Sequence, residues 1–242
     1  MNQQTISQLN AINQNFYTSV GKEFDETRQQ PWEGWNQLLQ YFPKKSDLKI
    51  LDIGCGNGRF AQFLIQKPDL NVEEYIGIDN NQFLLKQAKN TVQNKNFTFK
   101  EIDIVEGNFS FLNEKKFDLI VLFGVLHHIP SFELRKSLFE KVSEYLAPGG
   151  VFIFSAWQFL SIPALKQRLV QWEMFPQIEF DQLEQNDFLV DWRRGTNAYR
   201  YCHFVNEKEI QKLLPLHLMK VRQFYADGKN ERSNLYSVVK KE

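Results

Sequence analysis

The segment LDIGCGNGRF, residues 51–60, carries residue types at a spacing that could hold a nucleotide-like ligand. Gly54, Gly56 and Gly58 follow an apolar stretch that predicts a buried strand, and they precede a predicted helix. Glycine supplies the tight turn at such a junction and lets the backbone approach a ligand closely. Dehydrogenases carry similar loops, so the glycines alone do not identify the ligand.

Asp52, two residues ahead of the first glycine, narrows the choice of ligand. The pyrophosphate of a dinucleotide is anionic and would be repelled by a carboxylate at this place. S-adenosylmethionine (SAM) has no phosphate, and its ammonium and sulfonium groups are both cationic. A carboxylate at the end of this strand favours such a ligand. The loop therefore predicts a SAM site.

Two further aspartates end the next two predicted strands. Asp79 lies 21 residues after Gly58, where a carboxylate can accept hydrogen bonds from both hydroxyls of a ribose. Asp103 is placed to meet an adenine amino group, with Ile104 beside the ring. Aspartates at strand ends also cap helices and turns. Their occurrence at three successive strand ends, together with the glycine loop, favours the cofactor site.

The elements that must position these residues alternate along the chain. KILDIG, EEYIGID, FTFKEID, FDLIVLFGVL and VFIFSAW predict strands, and amphipathic segments such as SFELRKSLFEKVSEYL predict helices between them. Short apolar strands that alternate with helices indicate a parallel sheet covered on both faces. LMKVRQFYA and NLYSVVK predict an antiparallel edge pair. Pro31 is expected at the first position of a helix in PWEGWNQLLQYF.

The 242 residues are expected to form a single domain. Its predicted parts are an N-terminal helical cap (1–46), a SAM-binding core (47–157), an irregular or helical insertion over the site (158–205), and a C-terminal helix with edge strands (206–242). Lys and Arg balance Asp and Glu at 29 each, so the whole chain does not attract nucleic acid or membranes. Two cysteines, no apparent signal peptide and no membrane-spanning run predict a cytoplasmic protein without membrane contact.

LDIGCGNG, IGIDNN, FDLIVLFGVLHHI and LAPGGVFIF resemble, in order and spacing, the motifs of class I SAM-dependent methyltransferases over residues 49–156. The resemblance implies an α/β, Rossmann-like fold with helices on both faces of a seven-stranded, mostly parallel sheet. Its last strand would be antiparallel, and the insertion would follow strand 5. It also implies SAM as cofactor, S-adenosylhomocysteine (SAH) as product and no metal. The residues expected to bind the cofactor are Asp52, Gly54, Cys55, Gly56, Asp79, Asn80, Asp103, Ile104 and Phe123.

A finer resemblance extends over most of residues 16–240. FDETRQQPWEGW, VLHHIPSFELRKSLFEKVSEYLAPGG, RYCHFVNEKEIQKLL and NERSNLYSVV are similar to segments of the wobble-uridine tRNA methyltransferases, which esterify 5-carboxymethyluridine. The chain departs from that family where Asp191 precedes Trp192 in place of proline, and where Cys202 replaces an aromatic residue. The resemblance implies a tRNA anticodon loop as partner and a small zinc-containing activator protein as a possible second partner.

A carboxylate acceptor needs no general base, but it needs a cation to hold it. We predict Arg28 and Arg200 for this role, because a guanidinium grips a carboxylate bidentately. His127 and His203 are the other predicted catalytic residues, with His127 shaping the pocket. The residues predicted to bind substrate are Trp32, Trp192, Arg193, Arg194 and Tyr201.

Each of these residues also has a plainer interpretation. His203 could be an ordinary buried histidine, Arg193 and Arg194 a solvated pair, and Trp32 part of the core. His127 and His128 could form a metal pair, but no Cys or carboxylate at suitable spacing in the sequence completes a site. Cys55 is interpreted as small filler.

Two other functions remain open at the level of sequence. The chain could be a small-molecule carboxyl or O-methyltransferase, with the 158–205 insertion as a lid over the acceptor. It could also be a SAM-binding subunit without catalytic activity. The intact glycine loop with Asp79 and Asp103 argues against loss of cofactor binding.

Overall fold

The computed structural model describes residues 1–242 and contains ten strands. They are β1 (Leu48–Ile53), β2 (Val72–Asp79), β3 (Phe97–Glu101), β4 (Phe117–Leu122), β5 (Leu146–Trp157), β6 (Leu169–Val170), β7 (Asp187–Asp191), β8 (Tyr199–His203), β9 (Leu218–Ala226) and β10 (Asn234–Lys241). The helices are α1 (Gln3–Glu26), α2 (Gly34–Leu38), α3 (Arg59–Ile65), α4 (Gln82–Thr91), α5 (Phe132–Tyr145), α6 (Pro163–Lys166) and α7 (Glu207–Leu213). Short 3-10 turns cover Leu39–Tyr41, Ser110–Leu112, Leu126–His128, Phe159–Ser161, Trp172–Met174 and Phe180–Gln182.

Seven strands form the main sheet in the order β3-β2-β1-β4-β5-β10-β9. The first five are parallel to one another, and β10 runs antiparallel to both β5 and β9. All six residues of β4 are buried, as expected of a central strand covered on both faces. Two large apolar clusters fill the two faces of the sheet. The predicted Rossmann-like fold is confirmed.

The sheet order reverses between β1 and β4, because β1 pairs with β2 on one side and with β4 on the other. Open α/β sheets bind ligands beyond the carboxyl ends of their strands at such a switch point. Asp52 and Asp79 lie at the carboxyl ends of β1 and β2, and both therefore border this crevice.

The insertion after β5 differs from the expected irregular or helical segment. It contains a three-stranded antiparallel sheet in the order β6-β7-β8. Leu189, Val190 and Tyr201 are fully buried in it and pack partly against α1. The backbone N–H of Tyr201 donates to the side chain of Asn13, at 2.9 Å. Helix α1 thus holds the insertion above the main sheet.

The second helix also begins later than predicted. It starts at Gly34 and not at Pro31. The Gly34 N–H donates to the buried Asp227 carboxylate at 2.9 Å, and a Cβ at Gly34 would lie 2.5 Å from the Tyr236 ring. The start is therefore set by contact with the edge strands, which local sequence does not reveal. No helix in the structure combines the length and apolar character needed to cross a bilayer.

Candidate active site

One large cavity opens at the carboxyl ends of β1, β2 and β4. Its volume is about 1270 Å³, open solvent included. Helix α1, the 3-10 turn at Leu126–His128 and β8 border it on the side of the insertion. The nine residues predicted to bind the cofactor all line it: Asp52, Gly54, Cys55, Gly56, Asp79, Asn80, Asp103, Ile104 and Phe123.

The glycine loop forms a tight turn at the floor of the cavity. The N–H groups of Gly54 and Cys55 both donate to the carbonyl oxygen of Ile78, at 2.7 and 2.9 Å. Gly54 has a φ of 77°, and a Cβ there would lie 2.1 Å from the Val125 side chain. Only glycine fits this backbone conformation and this contact, so the backbone itself faces the cavity.

Asp79 is held by backbone donors that fix both of its oxygens. It accepts from the N–H of Gly56 at 2.9 Å and from the N–H of Asn81 at 2.9 Å. Burial raises the pKa of the Asp79 carboxyl, and these backbone donors oppose that rise. A carboxylate oxygen has two lone pairs, so each oxygen can still accept from a ligand. The two oxygens of Asp79 can therefore accept hydrogen bonds from the two hydroxyls of a diol.

Asp103 already has hydrogen-bond partners from α1. Its Oδ2 accepts from the side-chain amides of Asn10, at 3.0 Å, and Gln14, at 2.7 Å. Its Oδ1 accepts from the N–H of Val105 at 2.8 Å. Sequence reasoning missed that α1 contacts this carboxylate, so a ligand amino group here must share Asp103 with α1.

Asp52 is only 2% exposed. The hydroxyl of Tyr75 donates a short hydrogen bond to its Oδ2. Burial raises the pKa of Asp52 to about 7, the Tyr75 hydrogen bond opposes this rise, and the neighbouring Asp79 adds to it. The carboxyl can therefore change its charge near neutral pH.

Two arginine side chains, Arg28 and Arg200, also line the cavity. Arg200 is 7% exposed, and its guanidinium carbon lies 4.4 Å from the ring centroid of Trp157. Its Nε is buried without a hydrogen-bond partner, and no carboxylate forms an ion pair with it. The half-buried Arg28 donates only to the backbone and hydroxyl of its neighbour Thr27. Burial and then the charge of Arg200 lower the pKa of Arg28.

Trp32, which the sequence predicts to bind substrate, lies in the cavity wall. Its ring lies beneath the guanidinium of Arg59, with the carbon 4.8 Å from the ring centroid. Arg59 is a third cavity cation, and burial lowers its pKa to about 10. Arg59 and Trp157 were not predicted. Arg59 follows the glycine loop after β1, and Trp157 is the last residue of β5. Both therefore lie at the carboxyl edge of the sheet, and this position is the sequence signal that could have identified them.

His127 lines the cavity and its Nδ1 is buried without a partner. Burial, and next the neighbouring His128, lower its pKa well below the ordinary value, so the ring is neutral. A neutral buried imidazole cannot serve as a general acid at pH 7. This fits its predicted role in shaping the pocket.

The fold brings Cys202 to the two histidines, although the sequence offered no cysteine at a metal-binding spacing. One ligand atom from each of His127, His128 and Cys202 lies within 4.8 Å of the others. Both nitrogens of His128 are engaged by protein groups, and burial raises the pKa of the Cys202 thiol to about 12. A neutral thiol beside the Arg200 guanidinium is a poor ligand for a cation. The absence of a metal stays a prediction.

Five predicted acceptor residues do not line the cavity: Trp192, Arg193, Arg194, Tyr201 and His203. Trp192 is 5% exposed and packs edge-on against Phe16, with ring centroids 5.6 Å apart. Arg193 and Arg194 are exposed, and Arg193 pairs with Asp191 at 2.6 Å. The structure therefore places these five residues outside the cavity, and their roles in substrate binding and catalysis stay predictions.

Tyr201 and His203 point to the opposite side of β8 from Arg200. The Tyr201 hydroxyl and His203 Nδ1 both bind Asp187, at 2.7 and 2.6 Å. His203 Nε2 lies 2.9 Å from Glu209. His203 therefore joins the insertion to α7 and does not line the cavity, and its catalytic role stays a prediction.

Arg135, which is 1% exposed, completes this network. It pairs with Glu184 and, at 2.7 Å, with Glu209. It also donates to the carbonyl oxygen of Ile129 at 2.9 Å. Glu184, Asp187 and His203 have metal-like spacing, but the Arg135 guanidinium already supplies the cation among them. The network ties the insertion to the loop that carries His127 and His128.

The chain is similar to methyltransferases in sequence and in fold. A family model described as "Methyltransferase domain" matches residues 44–214. The fold is similar to the crystal structure of a SAM-dependent methyltransferase from Clostridium acetobutylicum. The TM-score is 0.65 at 20% sequence identity, over 93% of this chain and 98% of that one. At this identity the likeness concerns the fold alone.

Three curated proteins are similar over about half of the chain. A sterol 24-C-methyltransferase of Aspergillus fumigatus is 28% identical over 47% of this chain and 29% of its own length. A malonyl-[acyl-carrier protein] O-methyltransferase of Ilyobacter polytropus is 30% identical, with 55% and 48% covered. A tRNA (carboxymethyluridine(34)-5-O)-methyltransferase of Arabidopsis thaliana is 27% identical, with 58% and 31% covered. The aligned region spans less than half the length of each relative.

Proposed function

The chain belongs to the family of methyltransferase domains, and from this premise we propose that it transfers the methyl group of SAM to a carboxylate. One observation carries the choice of acceptor. Arg200 and Arg28 line the cavity, and neither forms an ion pair with a carboxylate of the protein. Burying a guanidinium without a counter-charge is costly, so an anionic ligand is the natural partner. A carboxylate matches the planar fork of a guanidinium.

The cofactor half of the cavity fits SAM. Asp79 keeps lone pairs for a ribose diol. An adenine amino group could donate to the Asp103 carboxylate, either in place of the side-chain amides of α1 or together with them. Asp52 provides negative charge for a cationic amino-acid end. Gly54 and Gly56 leave backbone exposed to the cavity.

The reaction requires little acid–base chemistry from the protein. Bound SAM supplies an electrophilic methyl group on sulfur. Arg200 and Arg28 would hold the carboxylate in line with that methyl at about 3 Å, and such positioning supplies much of the rate. A carboxylic acid is already ionised at pH 7. The neutral, unpartnered His127 would exclude water and shape the pocket.

For the acceptor itself, we favour a 5-carboxymethyl-type wobble uridine in a tRNA anticodon loop. The name of the Arabidopsis relative and the similar terminal segments support this choice. Trp32, which lines the cavity, could stack on a splayed base, as RNA-binding proteins commonly do. A small zinc-containing activator protein is a possible partner in this reaction.

A second candidate acceptor is a small acyl carboxylate, such as the malonyl group in the name of the Ilyobacter relative. Specific contacts favour it. Trp192 is packed in an aromatic cluster and is not free to stack on an RNA base in this conformation, and Arg193 already has a carboxylate partner in Asp191. The insertion would then act as a lid over the acceptor.

Binding and turnover assays distinguish the two acceptors. Purified protein, with and without the activator, would be given SAM and either tRNA that contains 5-carboxymethyluridine or a malonyl thioester. Mass spectrometry would detect the methyl ester. On the tRNA proposal, tRNA binding weakens with salt, and Arg194→Ala flattens that dependence. Absence of salt-dependent tRNA binding, with methylation of the thioester, would replace the tRNA proposal by the second candidate.

A further inference from the structure

Two side chains contact the free edge of β8, where a neighbouring strand would otherwise lie. β8 pairs with β7 alone, so the backbone groups on its other edge have no strand partner. The N–H of Tyr201 donates to Oδ1 of Asn13 at 2.9 Å, and the carbonyl oxygen of Tyr201 lies 3.0 Å from Nδ1 of His128. Tyr201 is fully buried, and buried backbone groups are costly to leave unpaired. Asn13 and His128 therefore hold β8 at this residue.

The direction of each hydrogen bond follows from the chemistry of the partners. A backbone N–H can only donate, and a carbonyl oxygen can only accept. Oδ1 of Asn13 therefore faces Tyr201, and its Nδ2 donates to the carbonyl oxygen of His128, at 3.4 Å. Burial, and next the charge of Arg200, lower the pKa of His128 to about 3, so the ring is neutral and carries its one proton on Nδ1. Asn13, His128 and Tyr201 thus form a closed ring of hydrogen bonds.

Asn13 lies on the face of α1 that also contacts the carboxylate expected to bind adenine. Asn13 and Gln14 follow Asn10 by three and four residues, and residues at this spacing share one face of a helix. The side-chain amides of Asn10 and Gln14 donate to Asp103 at 3.0 and 2.7 Å. One stretch of α1 therefore contacts both Asp103 and β8.

The contact at Tyr201 also limits the position of Arg200, the preceding residue of β8. Consecutive Cα atoms are about 3.8 Å apart, so a backbone held at Tyr201 restricts the Cα of Arg200. The side chain of Arg200 points to the other face of the strand, where it lines the cavity. Its guanidinium carbon lies 4.4 Å from the ring centroid of Trp157. Both ends of the Arg200 side chain are therefore held.

We propose that Asn13 is a positioning residue that fixes Arg200 relative to the cofactor side of the cavity. This inference rests on the proposed function. In the transfer, a carboxylate oxygen forms the new C–O bond as the C–S bond breaks, and the C–S electron pair stays on sulfur. That oxygen must lie in line with the methyl group at about 3 Å, and a small misplacement costs much of the rate. Asn13 ties the strand that carries Arg200 to the helix that contacts Asp103.

Asn13→Ala removes the acceptor of the Tyr201 N–H and leaves the cavity arginines in place. The acceptor would be tRNA that contains 5-carboxymethyluridine, or a malonyl thioester, at saturating SAM. We expect kcat to fall by about tenfold, because the carboxylate is held out of line, with SAM affinity in calorimetry unchanged. A folded Asn13→Ala protein with the wild-type kcat would overturn the proposal.

Asn15→Ala is the matched control. Asn15 is an exposed residue of the same helix and does not line the cavity, so its kcat is expected to equal that of the wild type. Thermal melts would establish that both variants fold. Equal losses of kcat in Asn13→Ala and Asn15→Ala would assign the effect to α1 as a whole and would overturn the role of Asn13.

The double variant separates positioning of Arg200 from other roles of Asn13. If Asn13 acts through Arg200, Asn13→Ala should have no further effect on kcat/KM once Arg200→Ala is present. Losses that multiply in the double variant would show that Asn13 acts independently of Arg200, by touching the acceptor or by general stabilisation. That result would overturn the proposal.

Hydrogen exchange tests the contact without turnover. In Asn13→Ala, the amide of Tyr201 is expected to exchange at least about tenfold faster, whereas the amides of the central strand β4 keep their wild-type rates. Unchanged exchange at Tyr201 would contradict the contact. Wild-type protein that methylates neither acceptor would overturn the proposed function and this inference with it. Wild-type turnover with an unchanged kcat in Asn13→Ala would overturn this inference alone.

Discussion

The guanidinium of Arg200 lies against the ring of Trp157, with its carbon 4.4 Å from the ring centroid. Arg200 belongs to β8 of the insertion, and Trp157 is the last residue of β5 in the main sheet. The contact fixes the plane of the guanidinium by cation–π attraction. Because its Nε has no protein partner, its donors are available to a ligand. The insertion thus delivers an oriented cation to the end of the central sheet.

Arg200→Ala is expected to lower kcat/KM for the acceptor by about a hundredfold, because charge-assisted hydrogen bonds are worth about 1.5–3 kcal/mol each. Arg200→Lys keeps the charge without the bidentate fork and should give an intermediate loss. SAM affinity, measured by calorimetry, should change little in either variant.

Arg193→Ala is the matched control for this prediction, since it removes an exposed arginine that does not line the cavity. Steady-state kinetics with the small carboxylate acceptor should be unaffected by it. Equal losses in Arg193→Ala and Arg200→Ala would show that the effect does not come from the cavity.

The difference between Arg200 and its neighbours shows what sequence could and could not predict. Alternate residues of a strand point to opposite faces. Arg200 faces the cavity, whereas Tyr201 and His203 lie on the opposite face of β8, where both side chains contact Asp187. The family resemblance pointed to the segment that contains Arg200, but it did not reveal that this segment is a β-strand. The surrounding sequence is rich in Gln and aromatic residues, which hides the alternation of buried and exposed positions typical of a strand. The strand bounds 199–203 would have separated these roles.

Asp79→Ala is expected to weaken SAM binding by at least about tenfold, because two hydrogen bonds to a charged group are lost. Glu101→Gln is the control, since Glu101 ends the next strand, is exposed and does not line the cavity. Circular dichroism would establish that both variants fold. Unchanged SAM affinity in folded Asp79→Ala would remove Asp79 from the site.

Asp52 is expected to make SAM binding depend on pH. Its pKa is raised to about 7, so the carboxyl is protonated below that pH and loses its attraction for a cation. SAM affinity should therefore fall as pH drops from 7 to 5. Asp52→Asn should bind SAM more weakly at pH 7 and show a shallower dependence in calorimetric titrations. The same steep fall in Asp52→Asn would assign the dependence to another group.

The raised pKa of Asp52 also has a consequence for stability. The carboxyl takes up a proton on folding at pH values between the unfolded pKa, about 4, and the folded one. The free energy of unfolding that it contributes is therefore greatest at low pH and declines as pH rises toward 7.

His203→Ala is expected to destabilise the fold by about 1–3 kcal/mol, because buried acceptors on Asp187 and Glu209 lose their partner. The hydrogen bonds to these carboxylates raise the pKa of His203 against the opposing effect of burial. A raised histidine pKa stabilises the fold fully below about pH 6.5, and this contribution is lost as pH rises through the folded pKa.

Thermal melts from pH 5 to pH 9 would measure this effect. The melting temperature of the wild type should decline above pH 6.5, and this part of the decline should be absent in His203→Ala. His217→Ala, which removes an exposed histidine, is the control. Loss of turnover in His203→Ala with unchanged melting would instead support the catalytic role that the sequence predicts for His203.

That the predicted cofactor residues lie together could be foreseen because strand ends and a glycine loop are local in sequence. The nine predicted residues meet in one cavity since parallel strands end at one edge of the sheet. The contacts of α1 could not be predicted in this way. Asn10, Gln14 and Tyr17 reach Asp103 and His128 across about a hundred residues, and no local pattern encodes such a crossing.

The most direct test of the account is the formation of a methyl ester on a carboxylate acceptor as a function of pH. Wild-type protein, SAM and tRNA containing 5-carboxymethyluridine, or the malonyl thioester, would be assayed by mass spectrometry. At saturating SAM, a carboxylate acceptor predicts that the rate of ester formation is nearly flat between about pH 6.5 and 9 and that the activity is lost in Arg200→Ala. A protein that binds SAM but esterifies neither acceptor, or whose rate rises tenfold per pH unit, would contradict it.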